Sequence, residues 1–168
     1  MAMFYAQPYD IHAAGFYFED AETYRSKITR VVNDYGDPVE EFEIQFIDGE
    51  DIDCELSKAL CPNQANILAI MEAIESWDKH QKLAVIIAVG EYGYSFDPEK
   101  DDPDSLDVTI YHVDSLKELA EQFVEEGLFG EIPDNLAFYL DYDAMARDLG
   151  MDYVETTIAD ECLVYRCE

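Results

Sequence analysis

The apolar positions change period several times along the chain, and each change marks an element. Met3 to Gln7 and Gly15 to Phe18 are short aromatic-rich runs separated by the turn-like stretch Pro8 to Ala14, which predicts two strands. Next, Tyr24, Ile28 and Val31 recur at helical spacing behind Asp20, a residue suited to capping a helix, and the stretch Asn33 to Gly36 ends the pattern. From Glu41 to Phe46 the alternation is strict. It places Phe42, Ile44 and Phe46 on a buried face and the carboxylates on a wet one. Three strands and a helix predict a small α+β unit over residues 1–53.

Residues 54–100 read as a helical unit. Asn63 follows Cys61-Pro62 as a cap, and Ile67, Ile70, Met71, Ile74 and Trp77 form one apolar stripe. Leu83 to Tyr92 is apolar nearly throughout, which fits a buried strand or a core helix; helix is the reading adopted. Residues 101–168 return to mixed structure. Asp107 to Val113 has strand character, and Ser115 with Glu118 predicts a capping box for a helix that turns Leu116, Leu119, Phe123 and Val124 inward. Gly127 and Gly130 stop that helix, Pro133 opens a short one through Leu140, and Asp141 to Leu149 forms another closed by Gly150. Tyr153 to Ile158 and Cys162 to Cys167 then predict a hairpin. The fold class expected is α+β, with two units of a three-stranded antiparallel sheet plus helix flanking a central helical unit.

Charge changes this picture from a fold to a function. Thirty-nine Asp and Glu against ten Lys and Arg leave a formal charge of -29, while 49% of the 168 residues are apolar. That much apolar material excludes a disordered acidic tail, so the anions sit at fixed positions on a folded body and call for a cationic partner. At one charge per roughly 1.7 Å of axis, the excess matches about 50 Å of duplex DNA. Direct binding of nucleic acid or of an anionic membrane is excluded by repulsion. The longest apolar run, Leu83 to Val89, is too short to span a bilayer, and a cytoplasmic chain is expected. Mutual repulsion also predicts raised carboxyl pKa values in the folded state.

Catalytic and metal motifs are weak. Cys54, Cys61, Cys162 and Cys167 lack paired zinc spacing and read as reduced packing residues. His12, His80 and His112 stand alone, the stretch Asp48 to Asp53 misplaces its glycine for a calcium loop, and Gly90-x-x-Gly93 lacks the rest of a phosphate loop. Neither an enzyme nor a cofactor is expected. Arg147 pairs in this reading with Asp143 or Asp148, as a structural ion pair or dimer contact.

The stretch from Leu119 to Leu149, above all Gly130-Glu131-Ile132-Pro133 and the run YLDYDAMARDL from Tyr139 to Leu149, resembles the ArdA family of antirestriction proteins. Gly15 to Phe18 and Glu40 to Ile44 lie where that family has strands, whereas Ala2 to Ala14 and Phe96 to Leu106 depart from it. The resemblance implies a protein of mobile DNA, built as an elongated row of three small domains and associating as a homodimer. It implies imitation of B-form DNA in the DNA-binding groove of type I restriction-modification enzymes, formed by methyltransferase and specificity subunits. The phosphate-like groups would then be Glu40, Glu41 and Glu43 at one end, and Glu118, Glu121, Glu125, Glu126, Glu131, Asp134, Asp141, Asp143 and Asp148 at the other. Tyr139, Tyr142 and Arg147 would serve the dimer or the motif's own structure. The alternative is an acidic interaction domain that binds another basic or nucleic-acid-binding protein.

Overall fold

A computed structural model describes residues 1–168, which fall into two compact units, Met1–Leu106 and Asp107–Glu168. The first begins with strands β1 (Met3–Pro8), β2 (Phe16–Phe18) and β3 (Phe42–Asp48), joined as an antiparallel sheet in the order β2-β1-β3. Register pairs Phe4 with both Phe18 and Phe46, and Ala6 with Ile44, so the alternating apolar positions fall on one face. On that face the Phe4 and Phe18 rings lie 5.7 Å apart, and Tyr24 of helix α1 (Ala21–Ile28) closes on Phe18 at 4.9 Å. Phe4 and Phe18 are fully buried, each worth about 1.5–3 kcal/mol. Gly15 leads into β2 where a Cβ would collide with the Ala6 carbonyl oxygen and stand 2.6 Å from the Tyr5 hydroxyl.

Asp20 caps α1 as expected, accepting from the Thr23 N–H at 2.6 Å and its hydroxyl at 3.0 Å. The helix stops at Ile28, one turn short of Val31. Val31 instead accepts the Val39 N–H through its carbonyl, and Val32 bridges Pro38, in a turn organised by Asn33 Oδ1, which accepts from Tyr35 and Asp37. That turn satisfies backbone groups a longer helix would have used.

Helix α2 (Asp51–Leu60) opens the helical stretch expected from residue 54 but starts three residues earlier, inside the stretch weighed as a calcium loop. Asp51 and Asp53 sit in its first turn, where the helix dipole favours anions, and Leu56 and Leu60 are buried. Helix α3 (Ile67–Ser76) has Asn66 rather than Asn63 at its cap position, because Asn63 folds a preceding turn by accepting the N–H groups of Ala65 and Asn66. Helix α4 (Lys79–Val85) opens on a capping box between Asp78 and Gln81 and runs on as a π-helical turn through Ile86–Glu91. The run from Leu83 is therefore helical, and it is apolar on all sides because Leu83 to Ala88 are all buried.

The second unit pairs β4 (Val108–Tyr111), β5 (Val154–Ile158) and β6 (Glu161–Cys167) in the order β4-β6-β5, all antiparallel. Helices α5 (Leu116–Glu125) and α7 (Tyr142–Leu149) pack on each other, with the four-residue α6 (Asp134–Ala137) between them in sequence. The core joins Val113, Leu119, Phe123 and Val164, rimmed by Tyr111, Leu116, Leu149 and Tyr153. Phe123 sits 5.5 Å from the Tyr111 ring and 5.9 Å from that of Tyr153. The β5–β6 hairpin turns through Ala159 and Asp160, both at positive φ (50° and 62°), the geometry of a two-residue type I′ turn. No helix is long and apolar enough to cross a membrane.

Candidate partner-binding surface

Asp53 is the one buried carboxylate of the chain; the other acidic residues all reach the surface. The physical cause is desolvation, which a carboxylate tolerates only beside a cation. Asp53 has one. Lys82 Nζ lies 2.7 Å from its Oδ1, with the two side chains 10% and 7% exposed, tying α4 to α2 across 29 residues of sequence.

Each of the twelve carboxylates named from sequence is exposed, and hydrogen bonding divides them. Five have structural work. Glu43 accepts from Gln45 at 3.1 Å, Glu126 from Gln122 at 2.9 Å, and Asp141 caps α7 through the Ala144 N–H at 3.0 Å. Glu118 Oε2 accepts the Asp114 N–H at 2.7 Å while Ser115 accepts from Glu118, so the expected capping box is shifted outward by one residue. Asp143 pairs with Lys117 at 3.2 Å, because α7 lies along α5. That contact takes the place of the expected pairing with Arg147, which is exposed and has no carboxylate within ion-pair distance.

The remaining seven, Glu40, Glu41, Glu121, Glu125, Glu131, Asp134 and Asp148, present unengaged side chains to solvent. Glu40 and Glu41 precede β3 in the first unit. Glu121 and Glu125 stand one helical turn apart on α5, opposite the buried Leu119, Ala120 and Phe123. Glu131 and Asp134 flank an open cavity floored by Val124, Ile132 and Ala137.

Local donors, not repulsion, govern the carboxyls whose pKa moves. Asp10 is held below the usual carboxylate range chiefly by the Asn33 amide, Asp20 by the Thr23 N–H, and Asp97 by the Lys100 ammonium. The expected upward shift is thus reversed at these three positions. Hydrogen bonds act at about 3 Å, while repulsion between exposed charges is screened by water and salt.

No three His, Cys, Asp or Glu side chains are grouped to hold a metal ion. The four cysteines are free thiols, and burial pushes that of Cys167 up, away from the reactive thiolate. All three histidines are exposed; His112 Nδ1 meets Glu161 at 2.7 Å and His12 lies 3.9 Å from Asp34.

One feature of this surface was not legible in the sequence. From Glu125 to Tyr139 every residue but Ile132 is exposed, and the segment carries Leu128, Phe129, Leu136, Phe138 and Tyr139, with Phe138 92% exposed. Residues Leu136 to Leu140 carry no charge, and the exposure of the large side chains among them follows from α6 burying nothing.

No curated protein matches the chain. The family model described as antirestriction protein (ArdA) matches residues 12–160, a span that takes in every helix, strands β2 to β5, the exposed carboxylates from Glu40 to Asp148 and the apolar segment, and leaves β1 and β6 outside it. By that match across most of its length, the chain belongs to the ArdA family of antirestriction proteins.

Proposed function

We propose that this protein blocks type I restriction-modification enzymes by imitating B-form DNA, its carboxylates standing in for phosphates in the groove formed by methyltransferase and specificity subunits. The observation that carries the reading is the exposure of all twelve candidate carboxylates on a folded body of formal charge -29. A basic groove that accepts them finds neither a scissile bond nor a base to methylate. The protein works as a non-enzymatic competitor in the cytoplasm, where such enzymes meet incoming DNA.

Binding energy in such a contact is spread over many ion pairs, each worth about 1 kcal/mol or less when exposed. Replacing Glu125 alone by Gln is therefore nearly silent, and replacing Glu118, Glu121, Glu125 and Glu126 together weakens inhibition strongly. Competition against a labelled duplex for a type I methyltransferase at two salt concentrations tests this. Affinity falls with salt, less steeply than for duplex of equal footprint, because a protein surface condenses fewer counterions than DNA. A single conservative substitution that abolished binding would instead mark a focused contact and support an ordinary acidic interaction domain.

A homodimer completes the proposal. Two chains of this charge repel, so their contact must be made of uncharged groups, and the exposed run around Phe138 and Tyr139 offers them. Sedimentation should give a dimer mass, and Phe138→Asp with Tyr139→Asp should give a monomer.

A further inference from the structure

Three cavities of the first unit line up along α3. The first, of about 190 Å³, shares Met71 and Glu75 with the second, of about 440 Å³, and the second shares Ala65 and Glu99 with a third, of about 310 Å³. Shared walls make them one trench. Leu68, Ala69, Met71 and Ile74 give the first two cavities an apolar floor, and carboxylates line all three. Lys82 is neutralised by Asp53 and Lys100 by Asp97, and Asp20 is engaged as the cap of α1. Glu19, Glu50, Glu72, Glu75 and Glu99 then face one remaining side-chain cation, Arg25, with Met1 lining the first cavity.

We infer that this trench seats an extended Lys- and Arg-rich segment of a partner protein. Lys and Arg side chains combine an apolar stem with a charged head, so a floor of Leu, Ala and Met beside a rim of carboxylates matches both halves. A surface that only presented charge to a basic groove would need no such floor. Three cavities in a row suit an extended chain better than a compact small molecule. None of these rim residues belongs to the carboxylates assigned to phosphate imitation. The inference rests on the proposed function only in that the segment would belong to the restriction enzyme.

The test is a calorimetric titration of the full-length protein with a nonapeptide of alternating Arg and Ala, against a Gln-for-Arg control peptide. Trp77, the sole tryptophan, packs on Phe96 of the third cavity with ring centroids 5.9 Å apart, so its fluorescence reports occupancy independently. Glu72→Gln with Glu75→Gln should weaken the Arg peptide about tenfold. Ala69→Phe, which keeps the charge and fills the floor, should weaken it comparably, and Arg25→Gln should tighten it. The fourfold Glu-to-Gln variant of α5 should leave it within about twofold, the loss expected when net charge changes but no residue lining the trench does. If the α5 variant weakens binding more than the α3 pair does, and Ala69→Phe changes nothing, the peptide is following net charge and the trench assignment is overturned. Duplex competition by the α5 variants reads the mimicry separately, so either conclusion fails without the other.

Discussion

Replacing Lys82 by Met should be among the most damaging single substitutions available in this chain that leaves the apolar core volume nearly unchanged. Asp53 would keep its place on α2 at 7% side-chain exposure while losing the ammonium now 2.7 Å away. A buried charge stripped of its partner costs about 3–5 kcal/mol. At roughly 4 °C per kcal/mol for a unit of this size, the melting temperature should fall by about 12–20 °C. The exposed Lys58–Glu55 pair, at 66% and 40% side-chain exposure, is the internal control: Lys58→Met should cost about 1 kcal/mol or less. The double variant Lys82→Met with Asp53→Leu removes both charges and should recover most of the loss, since an apolar pair of similar volume serves a buried site as well as an ion pair does. Denaturant titration followed by far-ultraviolet circular dichroism measures all three. A Lys82→Met variant no less stable than Lys58→Met, or a double variant worse than the single, would refute the argument that burial makes this pair obligatory.

Asp160→Gly should stabilise the β5–β6 hairpin by about 1 kcal/mol, because Asp160 holds φ at 62° where glycine carries no Cβ penalty; an unchanged denaturation midpoint would count against it. Gly15→Ala should destabilise the first unit by about 2 kcal/mol or more, since the new Cβ meets the backbone oxygen of Ala6, which cannot move without breaking β1 register; hydrogen exchange in β1 and β2 should rise with it. Asp20 has its carboxyl pKa lowered by the Thr23 N–H, so its stabilising contribution is present above the unfolded value of about 3.9 and is lost as pH falls through the lower folded value. The gap in melting temperature between the parent and Asp20→Ala should accordingly be full at neutral pH and close on acidification, and a constant gap would contradict the assignment.

Elements whose signal is local were legible in the sequence. The β3 alternation of Phe42, Ile44 and Phe46, the Asp20 cap of α1, the apolar stripe of α3 and the strands of both sheets follow from periodicity and capping chemistry, which act within a few residues. The net charge of -29 is fixed by composition alone. The first turn of α2 was missed because its acidic opening, Asp51 to Asp53, reads equally as a loop; burial of Leu56 and Leu60 fixes where the helix lies. The end of α1 at Ile28 depended on Asn33 organising the turn behind it, and the partner of Asp143 depended on α7 lying along α5. No sequence pattern joins Lys82 to Asp53, because a pairing across 29 residues exists only once two helices pack. The division of the acidic surface into engaged and unengaged carboxylates has the same origin. Sequence sets how many charges the chain carries, but which of them have a donor within 3 Å is decided by the approach of segments distant along the chain, and that approach is the tertiary structure.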